Sequence, residues 1–197
     1  MKEDESNMKT FNIITLGCSE VGKTCIIQRY IDNEFCHSTI STIGIDCKSK
    51  IFTINSIKYK IIYYDTAGQE RYSSISSKYI KSANGVILVY DITNQKSFSK
   101  IQEWTNNLEK NNKNYIAVLV GNKIDLESKR QVSKKEGLTL ANQLNVEFYE
   151  TSCLTNENVE EMMDKISTLT INKFASKKNN STKSLDSLIV KDNKTCC

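Results

Sequence analysis

Residues Gly17-Cys18-Ser19-Glu20-Val21-Gly22-Lys23-Thr24 constrain this chain more than any other segment. They fit G-x-x-x-x-G-K-[ST], a pattern that carries meaning only when a strand leads in and a helix leads out. Both flanks qualify. Residues 11–16 are an apolar, β-favouring run, and Cys25-Ile26-Ile27-Gln28-Arg29-Tyr30-Ile31 reads as a helix. In that setting the backbone N–H groups of Ser19, Glu20, Val21 and Gly22 turn inward as an anion-binding nest, and the helix N-terminus adds its positive dipole end. Lys23 supplies a point charge for β- and γ-phosphates, and the Thr24 hydroxyl is a hard oxygen ligand suited to Mg²⁺.

Three distant segments complete a pocket. Asp65-Thr66-Ala67-Gly68-Gln69 follows the apolar run 61–64, which places the Asp65 carboxylate at a strand end, where it can hold a Mg²⁺-bound water. Gly68 lets the backbone approach a γ-phosphate because it has no Cβ, and Gln69 is placed to orient an attacking water. Asn122-Lys123-Ile124-Asp125 follows a second apolar run, 115–121, a buried strand by its length and bounds. The Asp125 carboxylate only accepts hydrogen bonds. Guanine offers N1–H and N2–H side by side and adenine does not, so the wrong base leaves a buried carboxylate unpaired and ATP is rejected. The Lys123 stem covers the base plane. After the strand 146–149 come Thr151-Ser152-Cys153, where the N–H groups of Ser152 and Cys153 are expected at the guanine O6. Phe35 is a candidate to pack over the base edge, with a plain core role as its alternative. Thr42, in Ser41-Thr42-Ile43-Gly44-Ile45-Asp46, is expected to add a second hydroxyl to Mg²⁺ when the γ-phosphate is present. Loss of that phosphate would release the loop.

On these residues the chain resembles the Rab family of small Ras-superfamily GTPases over about residues 9–175. The Rab-like marks are the 41–46 segment, Asp65-Thr66-Ala67-Gly68-Gln69-Glu70-Arg71-Tyr72, Leu88-Val89-Tyr90-Asp91-Ile92-Thr93 and the terminal pair Cys196-Cys197. A C-a-a-X box needs a cysteine four from the end, and that position is Lys194. The resemblance implies a P-loop NTPase fold: a small G domain with a six-stranded, mostly parallel sheet and helices on both faces. It also implies slow, GAP-stimulated GTP hydrolysis with Mg²⁺, and two geranylgeranyl chains on Cys196 and Cys197. The implied partners are a GEF, a GAP, a GDP-dissociation inhibitor, the prenylation machinery and effectors. The implied setting is a monomer in the cytosol and on the cytoplasmic face of intracellular (Golgi or secretory) or plasma membranes, regulating vesicle traffic. Residues 85–132 resemble Rabs of the secretory pathway.

Three departures stand out. Glu20 replaces a usual glycine and brings negative charge beside the phosphates. Pointing inward it would weaken GDP binding and speed exchange; pointing to solvent it would change little. Cys153 and Leu154 replace Ala-Lys; the backbone contacts survive and Leu154 keeps apolar cover, so guanine specificity should persist. Cys47 and Tyr64 replace a phenylalanine and a tryptophan that, with Tyr79, form the exposed triad effectors read. Partner choice should therefore shift, since such anchors dominate interface energy. Ile43, Gly44 and Ile45 belong to the same switch surface.

The rest of the chain agrees. Strands alternate with helical stretches over 98–110, 134–144 and 159–174, the pattern of an α/β sheet with ligands at the carboxyl ends of its strands. Residues 1–8 read as a flexible N-terminus, 9–175 as the GTPase domain, and 176–197 as a disordered tail. Residues 175–197 hold five lysines and two aspartates, net +3 of a chain total of +4. No basic stripe with interleaved aromatics marks a nucleic-acid surface, and the seven cysteines lack zinc-ligand spacing. No signal peptide or apolar membrane span is evident, and Lys2 excludes N-myristoylation. His37 reads as exposed and not catalytic. Two other readings stay open: a fast-exchanging nucleotide scaffold with negligible hydrolysis, for which Glu20 leaves room, and an ATPase or nucleoside kinase, which residues 122–125 oppose.

Overall fold

A computed structural model describes residues 8–35, 44–66 and 73–186, the stretches 73–77 and 177–186 by backbone alone. Its strands are β1 (Lys9–Leu16), β2 (Ile45–Ile54), β3 (Ile57–Thr66), β4 (Gly85–Asp91), β5 (Ile116–Asn122) and β6 (Glu147–Thr151). They form one sheet in the order β2-β3-β1-β4-β5-β6. Every neighbouring pair is parallel except β2 and β3, which are antiparallel. Asn55 and Ser56 join that hairpin, both at positive φ (50° and 63°), as a tight two-residue turn between right-twisted strands requires.

The helices are α1 (Lys23–Asp32), α2 (Ser73–Ser82), α3 (Gln95–Ser99), α4 (Ile101–Asn111), α5 (Lys134–Leu144) and α6 (Val159–Asp186). Two cores follow. On one face Ile26, Ile27 and Tyr30 of α1 and Met162, Met163 and Ile166 of α6 pack on Ile61, Tyr63, Ile87 and Val89. On the other, Ile80, Ile101, Leu108 and Ala141 cover Ile14, Leu16, Val86, Leu88 and Tyr90. Alternate residues of β4 feed the two cores, and all seven are buried, which is why this strand reads as a continuous apolar run. At Gly137 a Cβ would come within 2.5 Å of the Phe148 ring and the Tyr90 hydroxyl, so α5 lies close on the sheet.

Two elements differ from the sequence expectation. The helix expected over 98–110 begins earlier and divides at Lys100. Asn94 caps its start by accepting from the Lys96 and Ser97 N–H groups. The last helix continues past residue 174 to Asp186, with no proline or glycine in between to interrupt its ladder. Helix α2 and a 3₁₀ segment, Ile124–Lys129, were not expected from periodicity. Among the described residues no helix is long and apolar enough to cross a membrane.

Candidate functional site

The parallel strands converge on one edge of the sheet. Gly17–Gly22 leave β1 there, Asp65 is the penultimate residue of β3, and Asp91, Asn122 and Thr151 end β4, β5 and β6. The register sets Asp91 beside Asn122 and Asn122 beside Thr151.

At the phosphate end, Gly22 has φ +98° and a Cβ there would lie 2.3 Å from the Asn122 Nδ2, so only glycine suits the position. Lys23 opens α1. Its ammonium donates to the carbonyls of Gly17 (3.0 Å) and Cys18 (2.8 Å) and is only 5% exposed. Burial lowers its pKa from 10.5 to about 8, against the opposing pull of Asp65 and Cys18. A buried cation held by two carbonyls of the glycine-rich loop is a ready counter-ion for phosphate. The Thr24 hydroxyl donates to the Asp65 Oδ2 at 2.6 Å, and both residues border a cavity of about 10 Å³, the space of one water or small ion. Two hard oxygen donors side by side beside the phosphate loop fit Mg²⁺ by their chemistry. Val21 is buried; Ser19 and Glu20 are exposed, and Glu20 sits at φ +65°.

At the base end, Asn122 is buried and acts as a tie. Its Nδ2 donates to the Val21 carbonyl (2.9 Å), and its Oδ1 accepts from the Thr151 hydroxyl (3.1 Å) and the Cys153 thiol (3.6 Å). Burial pushes that thiol up to about 12, so it stays protonated and a donor. Asp125 accepts from the Ser152 hydroxyl at 2.6 Å, which fixes the carboxylate expected to read guanine. Lys123, at φ +71°, pairs with Asp91 (2.7 Å), whose other oxygen accepts from the Thr93 N–H and hydroxyl. The Ser152 N–H, expected at a guanine O6, here donates to the Glu157 carbonyl (3.1 Å) across an isolated bridge. Leu154 is half exposed, and Phe35 packs at the margin of the α1–α6 core.

Sequence reasoning missed Arg29. From α1 its Nε reaches the Cys153 carbonyl (2.7 Å), its Nη2 the Leu154 carbonyl (3.1 Å) and its Nη1 the Asn33 carbonyl (3.1 Å). Nothing local announces it, because two of these partners lie 124 and 125 residues away. Asp91 entered the sequence reading only within the family-like segment 88–93, with no role given; its position at the end of an apolar run was the signal that could have found it. On the switch surface, Gly44 has φ +84°, Ile45 starts β2, and exposed Cys47 pairs in register with Tyr64, whose ring lies 5.0 Å from that of Tyr79. Thr42, Ile43, Gly68, Gln69, Cys196 and Cys197 lie outside the described residues, as does His37.

The comparisons with known proteins agree with this geometry. A family model described as Ras family matches residues 12–172. The chain is 42% identical over 162 residues to the Ras-related protein Rab-15 of Homo sapiens, which covers 82% of this chain and 76% of that protein. It is 43% identical over 152 residues to Rab-13 of Canis lupus familiaris, covering 77% and 75%. It is 44% identical over 151 residues to Rab-10 of Diplobatis ommata, covering 76% of each.

Proposed function

The chain belongs to the Rab small GTPases of the Ras family, and on that premise we propose that it binds GDP and GTP with Mg²⁺, hydrolyses GTP, and works as a lipid-anchored switch in vesicle traffic. The observation that carries this reading is Asn122, whose side chain joins the phosphate loop at Val21 to the base loop at Thr151 and Cys153. One residue thereby sets the spacing between phosphate and base recognition.

In the proposed cycle the Lys23 ammonium moves from the Gly17 and Cys18 carbonyls to the β- and γ-phosphate oxygens. Asp125, held by Ser152, accepts from guanine N1–H and N2–H. Thr24 and Asp65 would hold Mg²⁺, with Thr42 adding a hydroxyl in the GTP form, and the ion supplies positive charge to the phosphate oxygens. Gln69 orients a water that attacks the γ-phosphorus in line. The bond to the β-phosphate oxygen breaks, and GDP leaves with the negative charge, which Lys23 and the loop N–H groups stabilise. A GAP accelerates this step, and a GEF, a GDP-dissociation inhibitor and effectors act around it. Prenyl groups on Cys196 and Cys197 would supply the two hydrophobic signals stable anchoring needs. Mass spectrometry finding both cysteines unmodified in native membranes would remove that part.

The test is release of fluorescent GDP and single-turnover GTP hydrolysis on the full chain with Mg²⁺, for wild type and Gln69→Leu. Slow release, with hydrolysis lost in the variant, is the expected result. Negligible hydrolysis in both, with fast release, would replace the timer by a constitutively exchanging scaffold. Glu20, where the family usually has glycine, is the residue that leaves room for this second reading.

A further inference from the structure

Cys153, which replaces the family's usual alanine, is tied to α1 from two sides. One tie runs through its backbone, where the Arg29 Nε donates to the Cys153 carbonyl at 2.7 Å. The other runs through its side chain. The thiol donates to the Asn122 Oδ1 at 3.6 Å, and the Nδ2 of the same amide donates to the Val21 carbonyl at 2.9 Å. Cys25 lies midway between Val21 and Arg29, four residues from each. The helical turn already begins at this level, since the Ile26 N–H donates to the Gly22 carbonyl at 2.9 Å. Residues four apart share one face of a helix, so Cys25 is carried on the face of α1 that meets Cys153. Cys153 belongs to the α1–α6 core and Cys25 packs against that same core. The Cys25 thiol is also near enough to add to the upward push that burial gives the Cys153 pKa.

The two thiols differ in access. Cys25 is partly exposed and Cys153 is buried, so a small oxidant in solution meets Cys25 first. Hydrogen peroxide fits that order. The Cys25 thiolate attacks one peroxide oxygen, the O–O bond breaks and hydroxide leaves, which gives sulfenic acid at Cys25. The Cys153 sulfur, a slow nucleophile as a buried thiol but held at its target, then attacks the Cys25 sulfur. The S–S bond forms, the S–O bond breaks, and the departing hydroxide takes the Cys153 proton as water. With the proton that Cys25 gave up, two thiols and one peroxide become one disulfide and two waters. A third thiol, Cys18, sits partly buried in the glycine-rich loop and is the competing partner.

We propose that Cys25 and Cys153 form a peroxide-driven, thiol-reversible disulfide that staples α1 to the loop after β6 and holds a bound nucleotide in the pocket. The bond does not rest on the nucleotide reading; its effect on GDP does. The test treats the full chain, loaded with GDP and Mg²⁺, with hydrogen peroxide, blocks the remaining thiols by alkylation and maps peptides without reduction. The expected result is a Cys25–Cys153 peptide that dithiothreitol removes. GDP release should be about tenfold or more slower in the oxidised protein, because the staple joins the two ends of the pocket, and reduction should restore it. Cys153→Ala, checked for folding by circular dichroism melting, should stop at sulfenic acid on Cys25, trapped by dimedone, with a release rate that peroxide does not move. Cys25 joined to Cys18 or to any other cysteine, no bridged peptide, or equal slowing in Cys153→Ala would each overturn the proposal. A Cys25–Cys153 bond with release unchanged would overturn the staple's hold on the nucleotide. If the alanine variant does not fold, the wild-type peptide map and its release rates before and after reduction decide. Reduced protein that fails to hold GDP would sink the nucleotide reading instead, and the peptide map would still decide the bond.

Discussion

Glu20 occupies a left-handed conformation, φ +65°, in the loop proposed to cradle phosphate. A side chain there costs about 1 kcal/mol relative to glycine. Part of this is offset because glycine gains freedom in the unfolded chain, so Glu20→Gly should stabilise by about 0.5 kcal/mol and raise Tm by one or two degrees. Glu20 is exposed, the case in which GDP release should change little in the same variant; clearly slower release would show that the carboxylate bears on the phosphates. Lys23 gives a second test. Its folded pKa is about 8 and its ordinary value 10.5, so between those values the unfolded chain holds more protons. The nucleotide-free fold therefore gains stability from this group as pH rises through that window. Phosphate beside the ammonium draws the pKa back up, so GDP binding near pH 9 should take up most of a proton. Calorimetry in buffers of different ionisation enthalpy measures this, and Lys23→Arg should abolish it. Lys23, Thr24, Asp65 and Asp125 were legible in the sequence because their chemistry needs those residue types at fixed local spacings. The φ of Glu20 and the engaged Ser152 N–H were not, because a backbone angle and a distant carbonyl leave no mark in a motif.

Helix α1 is hydrogen-bonded to the loop after β6 through Arg29, whose guanidinium holds the Cys153 and Leu154 carbonyls while also closing the helix at Asn33. In the proposed complex that loop offers the Cys153 N–H to the base. Arg29→Ala should therefore speed GDP release about tenfold, since hydrogen bonds to a charged donor are each worth about 1.5 kcal/mol or more and the exposed ones less. Arg29→Lys should not restore it, because an ammonium on a flexible stem cannot reach three carbonyls at once. A fall in Tm with release unchanged would reduce Arg29 to a packing role. Elements themselves were mostly legible. Buried parallel strands announce themselves as apolar runs and α5 by its period; the reciprocal cap of Ser133 and Glu136 at its start is seen in the structure. The break at Lys100 and the extension of α6 depend on a cap and on the absence of any stop signal, which periodicity does not weigh.

Across the whole molecule the pocket is assembled from the ends of five strands, so its two halves share a position only when the sheet is formed. Asn122 makes that dependence physical, because it bonds the phosphate loop and the β6 end together. The nucleotide-free protein also carries a buried Lys23 among carbonyls and a left-handed Glu20. A ligand that answers both halves should therefore stabilise the entire fold by mass action. With GDP and Mg²⁺ at a hundred times the dissociation constant this amounts to about 2.7 kcal/mol. For a domain of this size each kcal/mol moves Tm by about 2–4 °C, so the transition should rise by about 5–10 °C. ADP at the same concentration offers the phosphates without the paired donors that Asp125 accepts, and it should leave Tm nearly unchanged. Equal shifts with both nucleotides would mean that the phosphate loop binds alone and that the Asp125–Ser152 pair does not select the base. Asn122→Ala separates the halves: it should shrink the GDP shift well below that of wild type, because binding at one end would no longer place the other.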